Sequence, residues 1–336
     1  MKGKILLALA ALLLAGTGRL GARETEPRLF IIDDDVGMMK AMVWKAGSFE
    51  YPFLKITDPD GGLEMLYALR EPKIKVLGIT CAMGCSTTDV CMASVQKILE
   101  LTGRTEVPLM RGASTPKDLG KETAAARFII DTVMKNPGRV EIIATAPLTN
   151  IATAMMLEPE LPKNWKALHL ATGEFWGALG EFSDGAKFGR AAGYRDMNIN
   201  VDVAAVRYVL EHGGDKVFIY PNEIMDQAFL TRADLKTIKQ AGTPLSKWVA
   251  SELAPMAAIE SLVMRGFALH GVIGAAVAID PELAEPPTLL RIKLAERKRG
   301  GYYFAISDDK NLPAYPVYGK LRDAQALEQR VVERSR

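Results

Sequence analysis

Short apolar runs alternate with segments of helical periodicity along most of this chain. Five runs have the length of buried strands, and they are LFII (29–32), IKVLGIT (74–80), VEIIATA (140–146), ALHLAT (167–172) and KVFIY (216–220). The helical segment TDVCMASVQKILELTG ends at Gly103, and VDVAAVRYVLEHGG has Asp202 near its start and ends at Gly213 and Gly214. Glycine is common directly after a helix. The alternation predicts an α/β fold in which helices flank a doubly wound, mostly parallel sheet.

The segment from 289 to 321 does not continue this alternation. We expect it to form a few small antiparallel strands that close the domain. No internal repeat and no linker divides the chain, so residues 23–336 are expected to form a single domain.

The first 22 residues have the pattern of a secretory signal peptide. A basic start, MKGK, precedes the apolar run ILLALAALLLAG, and small residues continue to Ala22. The run is short for a membrane span, and no cysteine follows it for lipid attachment. We expect an exported protein, periplasmic or secreted, whose mature chain starts near Arg23 and has no membrane partner; a retained membrane anchor is the alternative.

Charge and cysteine content exclude several classes of protein. A net charge of +2 over 336 residues, without a long basic stripe, gives no argument for a nucleic-acid partner. The three cysteines, Cys81, Cys85 and Cys91, lack the C-x-x-C spacing of zinc or thioredoxin-like sites. Two of them can pair in an oxidising compartment, but small, semi-buried thiols are the favoured interpretation.

In a doubly wound fold the ligand binds beyond the carboxyl ends of the strands, so the loops after the apolar runs hold the candidate site. The polar residues there and near position 270 are Asp33, Asp34, Asp35, Cys81, Cys85, TAPLTN (145–150), Arg190, Asp196, Asn198 and His270. Three adjacent carboxylates repel one another, which favours a cation, a proton-transfer role or a solvated turn. The whole set suits sugar binding with acid–base chemistry. Taken singly, each residue also has a structural interpretation as a turn, a cap or a buried histidine.

Several segments carry a family resemblance, in the family's order: EPKIKVLGITCAMGC, EIIATAPLTNIATAMMLEPEL, RDMNINVDVAAVRYVLEHGG and LHGVIGAAVAIDPEL. They resemble the motifs I-T-T-x-x-G-N, A-T-G-P-L-T-N, E-F-N-I-x-x-D-P-E-A-A and H-D-P-L-A-V-A-x-x-x-D-P-E-L of the inosine–uridine-preferring nucleoside hydrolases. The resemblance covers roughly residues 28–320. It implies the doubly wound fold of that family and a homo-oligomer that acts on a small-molecule substrate.

Members of that family hydrolyse the N-glycosidic bond of ribonucleosides, using a calcium ion (Ca²⁺) that binds the attacking water and the ribose hydroxyls. Such an ion prefers several hard oxygen ligands. By resemblance the metal ligands are Asp33, Asp35, Asp60 and the main-chain carbonyl of Thr145. The resemblance also implies Asp35 as general base or water ligand and His270 as the acid for the leaving group. The implied substrate contacts are Asp60, Cys85, Arg190, Asp196 and Asn198.

The chain departs from the family's first motif, D-x-D-P-G-x-D-D. Asp33, Asp35 and Gly37 match it, but Met39 and Lys40 stand where the acidic pair belongs. An insertion of about twenty residues (about 39–60) follows, after which Asp60 and Gly61 fall at the place of the pair. In a competing alignment ITDPDGG (56–62) is the shortened motif, with Asp58 in the metal position.

Other departures affect the same predicted site. Gly271 stands where the family has a metal-binding aspartate, and Cys85 stands where it has an asparagine. Arg190 replaces a sugar-contacting asparagine of the family, and Asp196 replaces a glutamate. Calcium is therefore expected to bind weakly or not at all, and Lys40 or Arg190 is a candidate to neutralise the remaining aspartates.

The sequence thus predicts an exported hydrolase of N-glycosidic bonds in nucleosides or related ribosyl compounds, with an altered metal site. The alternative is an inactive protein of the same fold that binds a sugar-like or anionic ligand. A third interpretation is an interaction module without pocket chemistry.

Overall fold

The computed structural model describes residues 26–46, 57, 59–175, 196–262, 264–298 and 300–336. Within them a nine-stranded sheet has the order β10-β9-β11-β6-β5-β4-β1-β2-β3, and β7 and β8 form a second, two-stranded sheet. The strands are β1 (Arg28–Asp34), β2 (Ile74–Cys81), β3 (Leu109–Arg111), β4 (Val140–Ala144), β5 (Ala167–Leu170), β6 (Val217–Ile219), β7 (Phe229–Leu230), β8 (Phe267–Ala268), β9 (Thr288–Glu296), β10 (Tyr302–Ile306) and β11 (Ala314–Val317).

The helices of the described residues follow the strands in alternation. They are α1 (Lys40–Ala46), α2 (Asp60–Leu69), α3 (Thr88–Thr102), α4 (Ala124–Lys135), α5 (Thr149–Leu157), α6 (Leu161–Asn164), α7 (Met197–Val201), α8 (Val203–His212), α9 (Asn222–Met225), α10 (Arg232–Gln240), α11 (Pro244–Glu260), α12 (His270–Ile279) and α13 (Ala324–Arg334). None of them combines the length and apolar character needed to cross a bilayer.

Strand β1 lies in the interior of the large sheet and pairs in parallel with β2 and β4. Its apolar run is continuous because both faces of the strand are covered. Phe30 and Ile32 pack into the hydrophobic cluster on one side of the sheet, whereas Ile31 packs into the cluster on the other. The predicted doubly wound, mostly parallel sheet is confirmed.

The C-terminal strands are antiparallel, as expected. β9 pairs with β10 and β11 in antiparallel register, and β11 joins the parallel part of the sheet at β6 through Val317 and Ile219. All five predicted strands are present. β3, β7 and β8 were not predicted, because two or three residues are too few to show a strand pattern.

Local capping explains where the predicted helices begin and end. The hydroxyl of Thr87 accepts a hydrogen bond from the N–H of Val90 at the start of α3, and Gly103 follows the helix with a φ of 68°. A left-handed residue at this position is favourable for glycine. Asp202 caps α8 in the same way, and Gly213 follows its last residue.

The three cysteines are free thiols, with Cys81 and Cys91 buried and Cys85 partly buried. Two histidines lie away from the polar loops. His169 is buried in β5, and His212 ends α8 with Nδ1 2.9 Å from the carbonyl oxygen of Tyr208. The predicted signal peptide, Asp58 and Arg190 lie outside the described residues.

Candidate active site

The carboxyl ends of the central strands border one pocket of about 500 Å³, part of which is open to solvent. Helices α2, α7, α9 and α12 complete its wall. The lining residues are Asp34, Asp35, Asp60, Gly61, Glu64, Cys85, Thr145, Ala171, Asp196, Met197, Asn198, Asn222, Met225, His270 and Gly271. The pocket therefore lies where a doubly wound sheet binds its ligand.

The first aspartate of β1 lies behind the pocket. Asp33 is opposite Thr80 in the register of β1 and β2, and its Oδ1 accepts hydrogen bonds from Thr80 Oγ1 (2.5 Å) and Asn150 Nδ2 (2.8 Å). Burial raises the pKa of Asp33 to about 6, although these two hydrogen bonds act in the opposite direction. Asp33 thus joins two strands and α5, and it does not line the pocket.

Asp35 lines the pocket and contacts the turn that follows β2. Its Oδ2 accepts a hydrogen bond from the main-chain N–H of Cys85, at 2.7 Å. A Cβ atom on Gly84 would lie 1.6 Å from the same oxygen, so only glycine allows this close approach. Cys85 thus contributes a main-chain N–H donor to the site. This contact does not depend on its side chain, so it is the same whether a cysteine or an asparagine occupies the position.

Two further carboxylates lie deeper, where β1 meets α2. Asp34 is buried, and burial together with the charge of Asp60 raises its pKa to about 7. Glu64 is completely buried one helical turn after Asp60. Burial, followed by the charges of Asp34 and Asp60, raises the pKa of Glu64 well above its ordinary value.

The acidic residue Asp60 joins the two helices that meet at this end of the pocket. It begins α2, and its Oδ2 accepts a 2.6 Å hydrogen bond from the main-chain N–H of Gly271, in the first turn of α12. An acidic side chain at a helix N-terminus is favourable because unpaired N–H groups point toward it.

Asn198 and Asp196 hold the opposite wall. The side-chain amide of Asn198 donates to the main-chain carbonyls of Thr145 (2.9 Å) and Ala171 (3.0 Å), which follow β4 and β5. Asp196 caps α7 through the N–H of Ile199 (2.7 Å) and accepts a second bond from the N–H of Gly173 (2.9 Å). Both side chains thus fix the shape of the pocket.

His270 is the first residue of α12 and lines the same pocket as Asp35. Its Nε2 lies 2.9 Å from Oδ1 of Asp226, which follows α9. The carboxylate fixes the orientation of the ring, as in other acid–base pairs.

The structure brings most of the predicted site residues together. Asp35, Asp60, Cys85, Thr145, Asp196, Asn198 and His270 line the pocket, whereas Asp33 lies behind it. Lys40 does not neutralise these aspartates, because its Nζ donates to the carbonyl oxygen of Ser251 on α11 (3.0 Å) and lies 4.0 Å from Glu252. That prediction is wrong for Lys40, and Arg190 lies outside the described residues.

Glu64, Asn222 and Asp226 were not predicted from the sequence. For Glu64 a signal was present: it is the one charged residue of the segment LEMLYAL, four positions after Asp60 and therefore on the same helix face. Asn222 and Asp226 follow a strand that ends at 219, but nothing in their neighbourhood distinguishes them from ordinary loop residues.

The calcium site implied by the resemblance is only partly matched by the residues present. No three or more His, Cys, Asp or Glu side chains of the described residues are grouped so that they could hold a metal ion. Gly61 and Gly271 border the pocket without a carboxylate, and the carbonyl of Thr145 already accepts a hydrogen bond from Asn198. However, Oδ2 of Asp34 and Oε2 of Glu64 are buried without a hydrogen-bond partner in the described ranges, and both are hard oxygen donors.

Comparison with known proteins agrees with this architecture. A rice (Oryza sativa subsp. japonica) protein called probable uridine nucleosidase 2 is 26% identical over 214 residues, or 55% of this chain and 60% of the rice protein. A pyrimidine-specific ribonucleoside hydrolase of Citrobacter koseri is 26% identical over 229 residues, which are 60% of this chain and 70% of that protein. The chain thus spans less than two thirds of the rice protein's length.

Solved structures show the same fold. A plant nucleoside hydrolase matches 92% of this chain and 98% of its own, with a TM-score of 0.71 and 20% identity. A purine-preferring ribonucleoside hydrolase from Gardnerella vaginalis gives a TM-score of 0.68 at 20% identity, over 91% of this chain and 98% of its own.

The profile described as "Inosine-uridine preferring nucleoside hydrolase" matches residues 56–328. The match starts after β1, so it includes Asp60, Asn198 and His270 but not the three adjacent aspartates. Since it covers most of the chain, and the fold and pocket agree with it, the chain belongs to the inosine-uridine preferring nucleoside hydrolase family.

Proposed function

We propose that this protein hydrolyses the N-glycosidic bond of nucleosides or of related ribosyl compounds. The observation that carries the proposal is the pocket itself, in which a carboxylate (Asp35) and a histidine (His270) approach from different elements. Family membership gives the reaction class, and the pocket supplies an acid–base pair for it.

The reaction separates a base from a sugar through a transition state with oxocarbenium character. Asp35, held by the N–H of Cys85, accepts the proton of the attacking water. His270, oriented by Asp226, protonates the leaving base. The negative side chains around the sugar position stabilise its developing positive charge. When bound, a calcium ion would supply a more acidic water and oxygen coordination for the sugar hydroxyls.

The test is release of reducing sugar from a panel that includes uridine, cytidine, inosine and guanosine, each with added calcium and with a chelator. We expect release from at least one nucleoside. Asp35→Asn should lower kcat by about 10²-fold or more, because general acid–base catalysis contributes at least that much. Asp89→Asn, an exposed aspartate in the first turn of α3, is the matched control and should retain full activity.

Two outcomes contradict the proposal. No release of sugar from any nucleoside under either condition would contradict nucleoside hydrolysis. Unchanged turnover in Asp35→Asn would exclude Asp35 as the base while leaving the activity intact.

The second candidate is a protein that binds a sugar-like ligand without cleaving it. The glycines at 61 and 271, which border the pocket where the family has acidic ligands, favour this candidate. The described part of the pocket favours a neutral ligand over an anionic one, because Asp34, Asp35 and Asp60 would repel a negative group. Ribose binding without nucleoside cleavage, measured by calorimetry, would support it.

The proposed enzyme is an exported homo-oligomer. The leader pattern of residues 1–22 supports export, and the family resemblance supports self-association. N-terminal sequencing of protein from the periplasm or medium should find a start near Arg23, and light scattering should give a mass above that of one chain.

A further inference from the structure

A carboxylate of α2 occupies the space that a side chain at position 271 would need. A Cβ atom on Gly271 would lie 2.8 Å from Oε2 of Glu64 and 3.2 Å from Oδ2 of Asp60. The first distance is below ordinary carbon–oxygen contact. An aspartate at 271, which the family resemblance leads one to expect, is therefore incompatible with the observed position of Glu64. The side chain of Glu64 on α2 thus lies in the space that an aspartate at position 271 on α12 would need.

Glu64 lines the pocket, and one of its carboxylate oxygens has no hydrogen-bond partner among the residues that the structure describes. Its side chain is 0% exposed and borders the pocket. Oε1 accepts a weak hydrogen bond from Thr145 Oγ1 at 3.3 Å, and Oε2 has no hydrogen-bond partner among the described residues. An ionised carboxylate buried in this state is costly unless a positive charge approaches it.

Asp34 repeats this arrangement from the end of β1. The residue is 1% exposed, and within the described part of the chain its Oδ2 has no hydrogen-bond partner. No lysine or arginine of the described residues forms an ion pair with Asp34 or Glu64. The two oxygens that lack a hydrogen-bond partner, Oδ2 of Asp34 and Oε2 of Glu64, are hard donors that a cation beside both side chains would satisfy.

We propose that Glu64 replaces, from α2, the metal-binding carboxylate that the family carries at the position of Gly271, and that Glu64 and Asp34 bind a divalent cation of the calcium type. In the part of the chain that the structure describes, no three such side chains are grouped for a metal, so the remaining ligands of the proposed site would be main-chain carbonyls, water and sugar hydroxyls. The inference deepens the proposed function by assigning a ligand to the same pocket. Its test, however, measures cation binding without any nucleoside.

The first experiment is calorimetric titration of calcium chloride into the purified, metal-free protein. The wild type should bind calcium saturably, and Glu64→Gln should weaken binding by about tenfold or more, since it removes a charged ligand of nearly the same shape. Glu211→Gln, an exposed glutamate on α8, is the matched control and should bind as the wild type does. Thermal unfolding of each variant verifies that it is folded.

The second experiment moves the carboxylate back to α12. Gly271→Asp alone should lower the Tm of the metal-free protein, because its Cβ would meet Glu64. The double variant Glu64→Ala/Gly271→Asp should recover calcium affinity to within about tenfold of the wild type, whereas Glu64→Ala alone should not.

The inference is overturned if the wild type binds no calcium at millimolar concentration, or if Glu64→Gln binds it as tightly as the wild type. Either result would mean that Glu64 is not a ligand of a calcium ion in this pocket. Nucleoside cleavage with unchanged calcium affinity in Glu64→Gln would refute this inference alone. Calcium binding without cleavage of any nucleoside would refute the proposed function alone.

Discussion

At the scale of single residues, the orientation of His270 depends on a contact that only the folded chain makes. Asp226 lies 44 positions earlier in the sequence, and its Oδ1 is 2.9 Å from the Nε2 of His270. The side chain of Asp226 is mostly buried, so the pair is partly shielded from solvent and its geometry is well defined. Asp226 is therefore a positioning residue for the proposed acid.

Loss of the proposed acid should matter only when the leaving group needs a proton. We expect His270→Ala to lower kcat for a nucleoside by about 10²-fold, and Asp226→Asn to lower it by less. Both variants should retain near wild-type turnover of a nitrophenyl riboside, because the nitrophenolate leaves without protonation. His212→Ala, at the end of α8, is the control. Equal losses on both substrates would show that the two residues are only structural.

At the scale of elements, α12 carries the site because it can approach the end of β5 closely. A Cβ atom on Gly274 would lie 2.7 Å from the Cβ of Ala171, which directly follows β5. The glycine lets the helix and the sheet edge come together, and the first turn of the helix then presents His270 and the N–H of Gly271 to the pocket. The close packing of Gly274 against Ala171 thus sets the position of His270, the proposed acid.

Substitution of Gly274 by alanine should separate these two elements. Overpacking of a buried contact costs about 1–3 kcal/mol, so Gly274→Ala should lower the free energy of unfolding in urea by that amount and reduce kcat. Gly319→Ala is the matched control, because a Cβ atom there meets nothing within 4 Å. Similar unfolding free energies for the two variants would mean that α12 can shift without cost.

At the scale of the whole molecule, an ionic network around the buried carboxylate of Glu141 links the end of α12 to β1, β4, β5 and the residue after β6. Arg28 Nε and Lys166 Nζ donate to Oε1 of Glu141 (2.8 and 3.0 Å), and Nε2 of His169 lies 3.2 Å from Oε2. Nδ1 of the same histidine is 2.8 Å from the hydroxyl of Tyr220, just after β6. Arg28 also donates to the last carbonyls of α12, where a cation is favourable.

This network makes stability depend on pH. Burial acts to raise the pKa of Glu141, but its hydrogen bonds to His169, Arg28 and Lys166 and the charge of Arg28 outweigh it and hold the pKa well below the ordinary 4.5. The ionised carboxylate therefore stabilises the folded state above about pH 4.5, and this contribution is lost as the pH falls further toward the folded-state pKa.

We expect Glu141→Gln to lower the free energy of unfolding by about 2 kcal/mol at pH 7. This is less than the loss expected for a fully buried ion pair, because Arg28 is partly exposed and solvent screens its charge. The difference from the wild type should shrink below pH 4.5. Urea unfolding at a series of pH values measures this, with the exposed Glu211→Gln as control. A difference that stays constant down to pH 3 would contradict the pKa shift of Glu141.

The strands and helix ends could be predicted because their signals are local. An apolar run such as LFII reports burial on both faces of β1, and Thr87 and Gly103 mark the two ends of α3 by their own backbone preferences. Short strands such as β7, with two residues, exist because tertiary packing brings two segments together. Their sequences contain no periodicity from which they could be inferred.

The loops that hold the site could also be predicted, since the position of a ligand in a doubly wound sheet follows from its topology. Asp35, Asn198 and His270 were found in this way, and their chemical roles stay predictions. Lys40 was misjudged because its position in the chain is next to the aspartates, whereas its side chain turns toward α11.

By itself the sequence determined the fold class, the loops that border the pocket and the absence of an aspartate at position 271. Only the tertiary structure decided which side chains lie beside Gly271. Asp60 and Gly271 are 211 positions apart, and the hydrogen bond between them sets α2 against α12. The closeness of Glu64 to Gly271 depends on how α2 packs against α12, and no local sequence pattern specifies that packing.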